Sequence, residues 1–136
     1  MELLMQRRAR LIWALSILLC SAGWAARALA CGQSDVCSDV SQSLVGQLDI
    51  DTVTVSWSTD DEDSTIGSYK VFRYDCETPN TCMVSVTTVT AVGSCGSTED
   101  YSIEDDPPSP AGDWTYVVEV WTSASVRACA VDVVPE

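Results

Sequence analysis

The sequence predicts an all-β fold, a Greek-key sandwich of about seven short strands, and three observations carry that prediction. Residues 52–57 read Thr-Val-Thr-Val-Ser-Trp and residues 69–74 read Tyr-Lys-Val-Phe-Arg-Tyr, both alternating with the period of two that turns one side of a strand to a core and the other to water. Clusters rich in Asp, Gly, Ser and Pro separate such segments at short intervals, the spacing of a sandwich rather than of strands joined by helices. Six of the seven cysteines follow residue 30, an even number in a chain with room for one small core, which reads as a disulfide framework.

Residues 1–30 stand apart from that fold. Arg7, Arg8 and Arg10 precede an apolar run over 11–19, and Ala28-Leu29-Ala30 is an A-x-A cleavage signature, the three parts of a secretory signal peptide. The expected location is secreted, extracellular or periplasmic in the cell envelope, with Cys31 as the first mature residue. A retained membrane anchor is the first alternative, disfavoured because Arg27 shortens the apolar run below the about 20 residues of a spanning helix. The second is a lipid-anchored envelope lipoprotein modified at Cys31, which follows Ala-Leu-Ala directly. Lipidation would leave an odd number of thiols, and Ala28 stands where such signals usually place leucine.

The whole chain carries seven basic and twenty acidic residues; setting aside residues 1–30, with four arginines and one glutamate, leaves three against nineteen, a net charge of −16. Such a field repels phosphate backbones and anionic lipid. Nucleic acid is therefore not expected as a partner, and a membrane only through a lipidated Cys31 or an uncleaved leader.

Taken in order, residues 31–42 are poor in apolar side chains and read as a cysteine-containing N-terminal tail, and residues 43–136 hold the sandwich. A first strand over 44–50 is weakened by Gly46. Asp49 and Asp51 turn the chain into a second strand over 52–58, where Val53, Val55 and Trp57 share a face. Asp60-Asp61-Glu62-Asp63-Ser64 is too polar and too like-charged to be other than a loop. The third strand spans 68–75, and Glu77-Thr78-Pro79-Asn80 supplies turn residues between Cys76 and Cys82. In the fourth, over 83–92, Val84 and Val86 share a face while Val89 has the opposite parity, so a bulge is expected near Thr87. After a loop over 93–100 comes a short strand over 101–104 with Tyr101 and Ile103 inward. Asp105-Asp106-Pro107-Pro108-Ser109-Pro110 is a proline-stiffened connection, and strands over 114–121 and 126–134 form a final hairpin. No helical period is read in residues 31–136. Trp57, Tyr69, Val71, Ile103, Tyr116, Val118, Val120 and Val131 form the expected core.

Three of these segments, in this order, resemble the fibronectin type III family. Val53-Thr54-Val55-Ser56-Trp57 is similar to its second strand with the buried tryptophan, residues 67–73 to the Tyr-x-Val-x-Arg third strand of bacterial members, and residues 112–120 to its sixth strand. The resemblance covers about residues 43–134. It implies an immunoglobulin-like sandwich with the third and sixth strands side by side, in a module that spreads, binds or braces and rarely catalyses. The sequence departs from the family in three ways: Trp114 takes the corner position usually held by tyrosine, six cysteines stand where most members have none, and Arg-Gly-Asp is absent.

Chemistry-bearing residues are few. The chain has no histidine, no Gly-x-Ser-x-Gly and no phosphate loop, and Lys70 is its only lysine, so no enzyme is expected and no catalytic residue is assigned. Cys76 and Cys82 flank one turn and are expected to pair. Cys31, Cys37, Cys95 and Cys129 then leave three arrangements open, with Cys95 to Cys129 and Cys31 to Cys37 preferred, and with Cys129 facing the core opposite Val118. Loop order places Asp60, Asp61, Asp63 and Asp100 at one pole as candidate calcium ligands, against the plainer reading of solvated acidic loops. Asp49, Asp51, Asp105, Asp106 and Asp113 fall at the other pole. Strand parity projects Lys70, Phe72, Tyr74 and Trp121 from the outer face as a binding surface for an extracellular protein or carbohydrate, unless residues 31–43 fold back to cover it. The expected function is a secreted, acidic, disulfide-stabilised binding module or cell-surface structural component without catalysis. The alternatives are the lipoprotein, a calcium-binding module, and a small secreted inhibitor using the loop over 77–81.

Overall fold

The computed structural model describes residues 31–77 and 79–136, so the signal-peptide reading of residues 1–30 lies outside the described residues. Seven strands make two antiparallel sheets. β1 (Val45–Asp49), β2 (Thr52–Thr59) and β5 (Glu99–Asp105) form one, in the order β1-β2-β5; β3 (Ile66–Tyr74), β4 (Val84–Thr90), β6 (Thr115–Thr122) and β7 (Arg127–Val133) form the other, in the order β4-β3-β6-β7. The architecture is the expected all-β sandwich. In β2 the alternation read from the sequence is complete, with Val53, Val55, Trp57 and Thr59 buried and their neighbours half-buried.

Inward residues of both sheets meet in one core of Val53, Val55, Trp57, Tyr69, Val71, Tyr101, Tyr116, Val118 and Val120. Ile103 and Val131, expected among the most buried, are half-buried, because β5 and β7 are the outer strands of their sheets and each lacks a neighbour on one side. The bulge in β4 falls at Val86, skipped where Val71 pairs with Thr87 and Phe72 with Ser85. Val118 faces Val131 and Val120 faces Cys129, so the final hairpin is offset by two residues from the expected pairing of Cys129 with Val118. A two-residue offset preserves faces, and Cys129 still points inward.

The largest departure is at the N-terminus. Residues 33–43 are not an irregular tail but an 11-residue helix, α1 (Gln33–Ser43). Asp35 accepts the Gly32 N–H at 2.8 Å and places a carboxylate in the first turn, where it also meets the helix dipole favourably. Val36 and Val40, four apart, are fully buried in the sandwich core, against β2 and β7. The helix ends at Ser43, whose hydroxyl donates to the Ser58 carbonyl and accepts the Ser58 N–H, both at 2.9 Å. Among the described residues no helix is long and apolar enough to cross a membrane.

Gly46, read as a weak point of β1, has a structural use. The Leu48 N–H donates to the Glu136 carbonyl and the Glu136 N–H to the Gly46 carbonyl, so the chain end covers the edge of β1. A Cβ at Gly46 would stand 3.2 Å from Pro135. A second helical turn, α2 (Pro79–Cys82), lies between β3 and β4.

Candidate functional site

Pairing of β3 with β6 decides what the outer face presents. Tyr69 and Val71 are fully buried, so Lys70, Phe72 and Tyr74 project to the opposite side; likewise Tyr116, Val118 and Val120 are buried and Val117, Glu119 and Trp121 face out. Lys70 pairs with Glu119 and Phe72 with Val117. The four residues expected to share an outer surface therefore do share it. The segment that was the alternative cover does not lie there, because α1 enters the core and is tied to β7 through Cys37 and Cys129.

This face is packed, not loose. Val117 and Glu119 point outward yet are 3% and 5% exposed, and Phe72, Tyr74 and Trp121 are half-buried. The Lys70 ammonium sits 3.6 Å from the centre of the Trp121 ring, a cation–π contact. The Trp121 indole N–H donates to Glu119 at 2.8 Å, and Arg127 donates to the other oxygen of the same carboxylate at 2.8 Å. Tyr74 donates to Asp132 at 3.1 Å, and its phenol is raised above the usual value by burial and by that carboxylate.

The acidic pole is organised differently from the calcium reading. Asp60 accepts from the Thr98 hydroxyl at 2.8 Å, Asp61 from the Gly96 N–H at 2.9 Å and Asp63 from the Thr65 N–H at 2.7 Å, while Asp100 is exposed on β5 opposite Ser58. Asp60 and Asp61 tie their loop to the loop over 96–98, Asp63 braces its own turn, and among the described residues the four do not bring ligand atoms together as one group. Among the described residues, Cys31, Asp61 and Cys95 do bring ligand-type atoms together. Their two sulfurs are joined as a disulfide, which removes them from ligation.

Glu62, grouped by sequence with the solvated loop acids, is only 2% exposed. It accepts the Tyr69 hydroxyl at 2.5 Å, the Tyr101 hydroxyl at 2.7 Å and the Gly93 N–H at 2.6 Å, with Thr59 at 3.4 Å. Tyr69 and Tyr101 belong to different sheets, so one carboxylate ties the layers together beside the stacked rings of Trp57 and Tyr101, 5.5 Å apart. Burial, then the bond to Glu62, pushes the Tyr69 phenol far up; Tyr101 is pushed from 10.0 to about 12, chiefly by burial. A Cβ at Gly93 would meet Glu62 at 2.9 Å, so only glycine lets the loop close over it.

At the opposite pole Arg73 of β3 reaches Asp105 of β5 with two bonds, of 2.6 and 2.5 Å, and Tyr116 donates to the same carboxylate at 2.7 Å. The Tyr116 phenol is raised, first by burial and then by Asp105. Trp114 lies over the Arg73 guanidinium at 5.2 Å, and its indole N–H donates to the Pro108 carbonyl at 2.8 Å. The signal for these two sites was available: tyrosines predicted inward carry hydroxyls that need buried partners.

The disulfides are Cys31–Cys95, Cys37–Cys129 and Cys76–Cys82. The pairing of Cys76 with Cys82 is as expected. The preferred arrangement of the other four is corrected, and the reason is α1: it carries Cys37 on its buried side next to Val36, where the inward Cys129 meets it, and leaves Cys31 beside the loop that holds Cys95. Three such bonds indicate an oxidising environment.

No protein-family model matches this chain, and no curated protein matches it. Solved structures similar to it include pectate lyase PelI from Erwinia chrysanthemi in complex with tetragalacturonic acid, 18% identical with 66% of this chain covered at a TM-score of 0.45. Pectate lyase Pel3 from Pectobacterium carotovorum is 16% identical with 69% of this chain covered at a TM-score of 0.48. In each case this chain covers 26% of the other protein's length. At those values the likeness carries no argument about what this chain binds or does.

Proposed function

We propose that this protein is a secreted, non-catalytic binding module of the fibronectin type III kind, which holds an extracellular protein or carbohydrate on the outer face of its β4-β3-β6-β7 sheet. The observation that carries the reading is the joint placement of Lys70, Phe72, Tyr74 and Trp121 on that face, with the N-terminal segment withdrawn into the core. Side chains already fixed by Glu119, Arg127 and Asp132 lose little entropy on meeting a ligand, which is the advantage of a preorganised aromatic surface. The adjacency of β3 and β6 supports the family resemblance. So does Trp114, whose bond to the backbone six residues upstream does the work of the corner tyrosine.

The withdrawn carboxylates are engaged inside the fold. Glu62 is held by two tyrosines, Asp105 by Arg73 and Tyr116, and Glu119 by Arg127 and Trp121. Each meets at least two internal donors, which fits a structural use of these groups. The test is affinity electrophoresis of the oxidised protein through soluble neutral polysaccharides, with capture of extracellular proteins alongside. Phe72→Ser with Trp121→Ser is expected to abolish retention or capture while the melting transition stays cooperative; retention unchanged in that variant rejects the face.

A further inference from the structure

The tip of the β1–β2 hairpin departs from what folding alone would select. Its loop is Ile50-Asp51, closed by the pair Asp49 with Thr52. Ile50 has φ 57°, in the left-handed region, and is 87% exposed. For a β-branched residue that backbone is strained, because its Cβ substituents crowd the following peptide, and two-residue hairpin loops ordinarily use glycine or asparagine there. The hairpin between β6 and β7 shows the ordinary solution: its left-handed residue is Ser125, small and polar. Ile50 carries both the strain and the exposed apolar surface, with no packing to offset either.

The surroundings give the partner its chemistry. Asp49 and Asp51 flank the isoleucine and are exposed, and Asp106 joins them through its bond from the Thr52 hydroxyl at 2.8 Å. The cations of residues 31–136 are all engaged elsewhere: Lys70 on Trp121, Arg73 on Asp105, Arg127 on Glu119. An apolar knob ringed by carboxylates without internal counter-charge fits a pocket of the opposite design. We propose that Ile50 is the anchor of a second contact, independent of the outer sheet face, and that it inserts into an apolar pocket bordered by basic side chains on a partner protein. An anionic lipid surface repels this ring, and a second copy of the chain would bring acid against acid.

The test combines stability with directed cross-linking of the full chain. Ile50→Gly and Ile50→Asn are expected to melt roughly 5 °C higher than the parent, as the left-handed strain is relieved. A photoreactive aliphatic analogue at position 50, irradiated in native medium, is expected to label a protein. Capture of that same protein should fall about thirtyfold or more in both variants, the loss of an interface anchor. It should weaken in Asp49→Asn with Asp51→Asn and at about 0.5 M salt, and persist in the Phe72→Ser and Trp121→Ser variant. A lower melting temperature for both Ile50 variants overturns the proposal by giving Ile50 a role in folding. Capture indifferent to Ile50, labelling of a second copy or of lipid alone, or no labelled protein overturns it equally.

Discussion

Glu62 shows how one buried charge is made tolerable and what it then controls. A carboxylate taken from water is costly unless every lone pair is met, and here two hydroxyls and one backbone N–H meet it across both sheets. Glu62→Ala leaves those donors buried without an acceptor and is expected to cost about 3–5 kcal/mol in urea unfolding; Glu62→Gln, which keeps the shape but weakens the acceptors, should cost about 2–3 kcal/mol. Equal stability of Ala and Gln variants would mean that packing, not hydrogen bonding, sets the effect. The same network predicts alkaline behaviour. Tyr69, Tyr74, Tyr101 and Tyr116 are all raised above 10.0, first by burial. In the unfolded chain their protons leave near pH 10, whereas the fold retains them. Their contribution is thus fully present below the unfolded value and lost as pH rises through the folded ones, about 12 in the case of Tyr101. Absorbance at 295 nm should show little phenolate near pH 10 and then a cooperative rise together with loss of far-ultraviolet signal; independent titration at pH 10 would contradict the buried partners. The inward direction of Tyr69, Tyr101 and Tyr116 was legible from strand parity. The burial of Glu62 was not, because its neighbours Asp60, Asp61 and Asp63 are in fact loop residues at the surface or near it, and nothing in the local pattern marks Glu62 as the acid that turns inward.

At the level of elements, strands were legible and the helix was not, for one physical reason. A half-buried strand advertises itself every second residue, as Val53, Val55 and Trp57 do, whereas α1 buries only Val36, Val40 and part of Cys37 among serines, aspartates and glutamine. Its stability comes from docking, not propensity, so little of it is written locally. The disulfide preference descends from that: without a helix, nothing favours Cys37 over the other two candidates as the partner of Cys129. The two bonds differ in what they constrain. Cys37–Cys129 joins residues 92 apart and Cys76–Cys82 residues 6 apart, so loop closure in the unfolded chain predicts contributions of about 4.6 and about 2.2 kcal/mol. Removing Cys37 and Cys129 together as serines should therefore lower stability about twice as much as removing Cys76 and Cys82, beyond any loss of α1 packing. Near-equal losses would show that α1 is undocked in solution, and non-reducing peptide mapping would then fail to find the Cys37–Cys129 bond. Trp57→Ala truncates the side chain that both Tyr69 and Tyr101 pack against and should cost about 3–5 kcal/mol.

Across the whole molecule the dominant electrostatic fact is imbalance. Residues 31–136 carry nineteen acidic groups and three cations, and two of those cations, Arg73 and Arg127, form the ion pairs with Asp105 and Glu119. The remaining carboxylates have no cationic partner among the described residues and repel one another over distances that salt screens, with a Debye length of about 10 Å at 0.1 M. Screening weakens the two favourable pairs less than it weakens this repulsion, since Asp105 and Glu119 are largely withdrawn from water. Stability is therefore expected to rise with sodium chloride, the reverse of a fold held by surface salt bridges, by several degrees in melting temperature between about 0.01 and 0.5 M. Calcium chloride at matched ionic strength separates general screening from a site. Because Asp60, Asp61 and Asp63 are engaged with different donors and the four carboxylates with Asp100 form no ligand group among the described residues, calcium should add nothing beyond sodium at the same ionic strength. A further saturable rise with millimolar calcium would require the loop over 60–63 to rearrange so that these carboxylates converge, since a ligand stabilises only the state that binds it. Substituting Asp61 by asparagine would then remove the calcium-specific part and leave the sodium effect intact.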